Sequence, residues 1–279
     1  MYTISQLFIY PVKSLGGFEV PAAELTDRGF QYDRRWMLVD INNQFITQRE
    51  LPVMSLLQTT IDADRLVIYY KHDKADKISI PLNPSPEVTI CVKVWDDECE
   101  AQFVSDKADE WLSTKLSTPC RLVYMPDAEK RKVDKRYAGN NEITSFSDGY
   151  PILIIGQPSL DDLNSRLTRP LPMNRFRPNI VFMGGNPYDE DTMEHVVVNG
   201  IDLYGVKLCA RCAMTTIDQN NAIRSKEPLK TLAGYRMANN NVYFGQNILF
   251  KQTGNIKIGD TIAVIKAKPS ILDAASILE

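Results

Sequence analysis

Histidine is scarce in this chain: His72 and His195 are the only two in 279 residues, and they are far apart. No second Cys-x-x-Cys accompanies Cys209-Ala-Arg-Cys212, so a four-ligand structural zinc site lacks its ligands. No apolar run approaches the ~18 residues a membrane span needs. The opening Met-Tyr-Thr-Ile-Ser-Gln has neither the basic stretch nor the apolar core of a signal peptide. A cytoplasmic protein with no membrane partner is therefore expected. The five cysteines (Cys91, Cys99, Cys120, Cys209 and Cys212) are odd in number and irregularly spaced, which suits reduced thiols better than a disulfide framework. Charge of one sign is also lacking. A formal net charge of -3 gives no broad pull toward nucleic acid, so any anion specificity must come from a local site. Dinucleotide-binding, iron–sulfur and flavin signatures are missing as well, so electrons drawn directly from a nicotinamide cofactor are not expected.

What remains is an ordinary globular composition, 44% hydrophobic and 24% charged, long enough to bury a core without disulfides. Short runs rich in β-branched and aromatic residues recur along the chain. They predict strands at 2–10, 18–25, 35–40, 45–49, 56–61, 65–70, 88–95, 99–104, 151–156, 179–183, 195–198, 201–208, 213–218, 243–252 and 261–265. Asn42-Asn43 and Asn199-Gly200 mark tight hairpin turns. Ser105 reads as the cap of a helix with Ala108, Trp111, Leu112 and Leu116 on one face, and Ser159 as the cap of another with Leu160, Leu163 and Leu167. A short third helix is expected near Pro228 to Met237. The polar stretch from Asp127 to Ser147 reads as a solvated loop. The expected class is α+β, dominated by strands: a β-barrel-like first domain over 1–122, a second barrel domain with a few helices over 123–268, and a tail over 269–279.

Two groups of residues carry chemical interest. The first is the Cys209–Cys212 pair. A thioredoxin-like redox pair would open a helix, whereas Met-Thr-Thr-Ile after Cys212 favours a strand. Inert core thiols and a single-thiolate metal site both stay open. The second group is cationic: Lys13-Ser14, Arg34-Arg35, Arg49, and Arg175 with Arg177 before Asn179. Each lies beside an apolar run, where a charge is costly unless it meets an anion or carboxylate. Arginine forks and a lysine point charge together suggest a phosphate clamp.

Nine segments in series resemble one family: Tyr10-Pro-Val-Lys-Ser14, Asp33-Arg-Arg-Trp36, Ile46-Thr-Gln-Arg-Glu-Leu-Pro52, Asp148-Gly-Tyr-Pro151, Leu163-Asn-Ser-Arg166, Phe176-Arg-Pro-Asn-Ile180, Cys209 through Asp218, Lys226-Glu-Pro-Leu229 and Phe244-Gly-Gln246. The chain is similar to YcbX-like proteins and mitochondrial amidoxime-reducing components, in which a MOSC N-terminal β-barrel domain precedes a MOSC domain. The resemblance implies the molybdenum cofactor (Mo-molybdopterin), with the second cysteine of Cys-x-Arg-Cys, here Cys212, as the metal's thiolate ligand. It also places Lys13, Ser14, Arg34, Arg177 and Asn179 around the pterin and its phosphate, with Asp148, Gly149 and Tyr150 lining the site. Arg49 and Arg175 join this set by charge, and Asp148 and Asp218 are candidate proton relays. The implied function is reduction of N-hydroxylated or N-oxide compounds, with electrons from a separate flavin reductase or ferredoxin-like partner. The alternative is a non-catalytic carrier of the cofactor or its sulfur, which would need the same pocket.

Overall fold

The computed structural model describes residues 1–84, 88–139 and 141–272, so the tail expected at 269–279 lies partly outside the described residues. Strands dominate, and seven of them close into a barrel. Around it run Ile152–Gly156, Ile180–Met183, Tyr2–Ile9, Thr261–Ala267, Met193–Val198, Ile201–Ala210 and Asn241–Phe250, whose last member pairs back with the first. Ile152–Gly156 and Ile180–Met183 are parallel; the other pairings are antiparallel. Alternation of burial along Ile201–Ala210, with Ile201, Leu203 and Gly205 inward, is the period-two pattern of a strand with one face on a core. Asn199 and Gly200 both have positive φ and join the flanking strands as expected of this pair.

The opening strand crosses the expected boundary near residue 122. Tyr2–Ile9 lies between Ile180–Met183 and Thr261–Ala267, and Ala22–Thr26 pairs with Gly254–Lys257. Ile4, Leu7, Ile9, Leu25 and Phe30 consequently share one core with Ile152, Phe182, Val198 and Ile248. The chain then leaves the barrel to build two smaller sheets. One holds Trp36–Val39, Arg121–Tyr124, Asp97–Phe103 and Thr89–Val94; the other holds Leu57–Asp62, Arg65–Tyr70 and Asp73–Pro81. Asp73–Pro81 escaped the sequence pattern because it is a largely exposed edge strand with little alternation to read.

Helix Asp106–Leu116 is capped as expected: Ser105 Oγ accepts from the Ala108 amide, and Ala108, Leu112 and Leu116 are buried. Four local expectations are corrected. Of the two strands expected across Asn42-Asn43, Trp36–Val39 forms, but Phe45 makes only an isolated bridge to Val39 and 46–49 is not a strand. Helix Gln157–Ser165 starts after Gly156, with proline in its first turn; Ser159 is buried and donates to Glu190 at 2.7 Å instead of capping. Ala213–Thr216 is a 3-10 turn rather than the start of a strand. There the Thr215 hydroxyl donates to Cys212 O at 3.1 Å and Thr216 to Ala213 O at 2.7 Å, so local side-chain bonds outcompete β propensity. The Asp127–Ser147 stretch is not simply solvated. Arg131 is buried, pairs with Asp97 and donates to Ser145 O and Ser147 O, while Val133, Ile143 and Phe146 pack inward. Among the described residues no helix is long and apolar enough to cross a membrane.

Candidate functional site

A cavity of about 280 Å³ opens between barrel strands Ile152–Gly156, Ile201–Ala210 and Asn241–Phe250 and the loops beside them. Lys13 and Ser14 reach it just after the opening strand leaves the barrel, Arg34 after Phe30, and Arg175, Arg177 and Asn179 just before Ile180–Met183. Ser147, Asp148, Gly149 and Tyr150 arrive from the end of the polar loop, and Cys209 to Cys212 from the end of Ile201–Ala210. Ser14, Arg34 and Arg177 have φ of 67°, 49° and 55°, a left-handed conformation disfavoured for residues with a Cβ. Three such residues on one wall is the kind of strain that surrounding structure must hold in place.

The inner wall is cationic and mostly buried. Asp33 anchors it by accepting the Tyr10 amide at 2.8 Å and pairing with Arg34 at 2.6 Å. Arg34 also donates to Asn179 Oδ1 and Arg177 O, and Arg177 to Leu15 O at 2.6 Å. Both guanidiniums lie over the Tyr10 ring, at 4.5 and 4.3 Å. Burial, reinforced by Arg34, lowers the Arg177 pKa to about 10. Burial and the same kind of crowding lower that of Lys13, although Lys13 donates to Phe146 O and pairs with Asp148 at 2.5 Å. Burial raises the Asp148 carboxyl, but Lys13, Trp95 Nε1–H and Arg49 outweigh this and hold it well below the usual range. Arg175 donates to Thr215 O at 2.8 Å, tying the cationic wall to the turn that follows Cys212.

At the other wall Cys212 is exposed and precedes the 3-10 turn, while burial raises the Cys209 thiol despite Arg211. Arg211 donates to Phe244 O and Phe176 O and lines the cavity. Ser14 Oγ, the Tyr150 hydroxyl and Arg211 Nη2 are buried with no hydrogen-bond partner. Orphaned donors beside clustered cations form a wall suited to an anion with several oxygens. Among the described residues no group of three or more His, Cys, Asp or Glu is placed to hold a metal ion.

Ten of the twelve expected site residues line the cavity: Lys13, Ser14, Arg34, Asp148, Gly149, Tyr150, Arg175, Arg177, Asn179 and Cys212. The other two stand behind it. Arg49 lies over the Trp95 ring at 4.1 Å, and Asp218 faces Arg175 at 3.8 Å and accepts the Asn220 amide. Ser147, Lys207, Met214, Thr215 and Asn247 line the cavity without having been expected. Lys207 is the instructive miss: it sits in an apolar strand, and only its position opposite the loop puts its ammonium 4.8 Å from the Tyr137 ring.

The chain matches the MOSC N-terminal beta barrel domain over residues 1–119 and the MOSC domain over residues 141–263. It is 32% identical to mitochondrial amidoxime-reducing component 1 of Mus musculus, over 94% of this chain and 82% of that protein. The Homo sapiens protein of the same name is 32% identical over 94% of this chain and 83% of its own length. Molybdenum cofactor sulfurase of Oryza sativa subsp. japonica is 30% identical over 87% of this chain, which covers 32% of that longer protein. The chain belongs to the family that joins a MOSC N-terminal β-barrel domain to a MOSC domain, alongside the mitochondrial amidoxime-reducing components.

Proposed function

We propose that the cavity binds the molybdenum cofactor and that the protein reduces N-hydroxylated compounds with electrons from a separate partner. The observation that carries this reading is the meeting, in one cavity, of the Cys212 thiol with buried cations and orphaned hydrogen-bond donors. A soft sulfur suits molybdenum, and Lys13, Arg34, Arg175 and Arg177 suit a pterin phosphate. When bound, the cofactor supplies two-electron chemistry and accepts an oxygen atom from the substrate. Names of the mouse and human relatives support amidoximes and related compounds as substrates.

The chain's own residues have narrower duties. Lys13, Arg34 and Arg177 bind and orient the anionic part of the cofactor. Asp148 is held ionised, so it orients Lys13 rather than donating a proton at neutral pH. The Tyr150 hydroxyl and the Lys13 ammonium are among the proton-bearing groups that line the cavity, while Asp218 keeps Arg175 in place from outside it. The test is metal analysis of protein made in a cofactor-producing host, followed by benzamidoxime reduction with reduced viologen. Bound molybdenum with viologen-driven turnover, and none with NADH alone, is expected. Molybdenum without turnover would replace this reading with the carrier, and no molybdenum would end both.

A further inference from the structure

Gln48 belongs to the segment Ile46–Pro52, which the cavity does not use. Gln48 is nevertheless 0% exposed, and its polar atoms are satisfied by Ser14 on the cavity wall and by Gln219 beyond the Cys212 turn. Gln48 Nε2 donates to Ser14 O at 2.6 Å and to Gln219 Oε1 at 3.3 Å. Gln219, 4% exposed, returns a bond from Nε2 to Gln48 Oε1 at 3.0 Å and reaches Ile217 O at 3.1 Å. All four amide protons are thereby used. Turning the Gln48 amide over would set its oxygen against Ser14 O, so the network itself selects this orientation. Lys71 Nζ holds the same loop by donating to Gln219 O at 2.6 Å.

The two ends of this pair matter. Ser14 carries a left-handed backbone and an orphaned hydroxyl on the cationic wall. Ile217 closes the 3-10 turn Ala213–Thr216 that Cys212 precedes, and Gln219 lies two residues further on. The halves of the chain that meet here are 171 residues apart in sequence.

We infer that Gln48 is a positioning residue: its reciprocal amide pair with Gln219 holds the strained Ser14 backbone and the Cys212 segment in register across the cavity. The inference rests on the proposed cofactor site. The bond network has no slack, because every amide group in it is both buried and paired. Removing Gln48 leaves Gln219 Oε1 and Ser14 O unsatisfied and frees Ser14 to relax toward an ordinary φ; removing Gln219 leaves Gln48 Oε1 and Ile217 O unsatisfied and loosens the glutamine that holds Ser14.

Two measurements test this, one with cofactor and one without. In loaded protein kept below its melting temperature, Gln48→Ala and Gln219→Ala should each speed molybdenum loss about tenfold, the loss expected from removing buried hydrogen bonds. The double variant should lose it no faster than either single one. Ile256→Ala, which opens a hole in the barrel core, should lower Tm at least as much and leave the loss rate at the wild-type value. Equal rates for Gln48→Ala and Ile256→Ala would reduce Gln48 to an ordinary stabilising residue. In cofactor-free protein, hydrogen exchange should rise in both segments 12–17 and 212–220 for either glutamine variant. A rise confined to the mutated segment overturns the coupling even if the cofactor reading stands, and wild-type protein that never retains molybdenum overturns the cofactor reading itself. Should Gln48→Ala fail to fold, Gln219→Ala probes the same pair from its other end.

Discussion

At the residue scale, the two cysteines of Cys-x-Arg-Cys have unequal surroundings. Cys212 is exposed on the cavity, whereas Cys209 is partly covered and its thiol is pushed up by burial. Cys212→Ser should therefore empty the site of molybdenum while leaving Tm nearly unchanged, since serine keeps the size but not the soft sulfur. Cys209→Ser should retain most of the metal; if it alone emptied the site, the ligand assignment would be wrong. The cations divide by their bonds. Lys13→Ala, Arg34→Ala and Arg177→Ala should each weaken cofactor retention by about 1.5 to 3 kcal/mol, tenfold or more. Full molybdenum content in all three after prolonged dialysis would remove the clamp. Arg49→Ala, outside the cavity, should cost less, through Asp148 alone.

At the scale of an element, the 3-10 turn Asp189–Thr192 carries a buried carboxyl, Glu190, whose Oε2 accepts from Ser159 and whose Oε1 has no partner. Burial, and then Asp191, raise its pKa from 4.5 to about 7. The unfolded chain ionises first as pH rises, so the stability conferred by protonated Glu190 is complete below the unfolded pKa near 4.5 and is lost as pH climbs to about 7. The slope in that window is about 1.4 kcal/mol per pH unit. Glu190→Gln keeps the shape without the charge. Its urea midpoint should exceed that of the wild type at pH 8 and vary less between pH 5 and 7. Identical pH profiles for the two proteins would show that Glu190 does not titrate in this way.

At the scale of the whole molecule, the barrel cannot close without the first strand. Tyr2–Ile9 supplies Ile4, Leu7 and Ile9 to the barrel core and fills the gap between two strands from the far half of the chain. A fragment of residues 123–268 would expose two unpaired edges and part of that core. It should express poorly or bind a hydrophobic dye, and should lack a cooperative melt. Adding a peptide of residues 1–10 should restore order in part. A sharp melting transition in the fragment alone would show that 123–268 is an independent unit after all.

Sequence by itself determined the local part of this protein: most strands through their alternation, the turn at Asn199-Gly200, the helix capped by Ser105, and the residue types able to hold an anion and a soft metal. These are set by neighbours a few positions away, where side-chain period and turn chemistry act directly. Tertiary structure decided what depends on distant partners. It placed Tyr2–Ile9 in the barrel, drew Lys207 and Arg211 into the cavity, and left Arg49 and Asp218 behind its wall. It also made Cys212 open a 3-10 turn and joined Gln48 to Gln219. No local pattern encodes such placements, because which face of a strand or loop meets another depends on closing the barrel, and that closure is settled only when strands far apart in sequence pair.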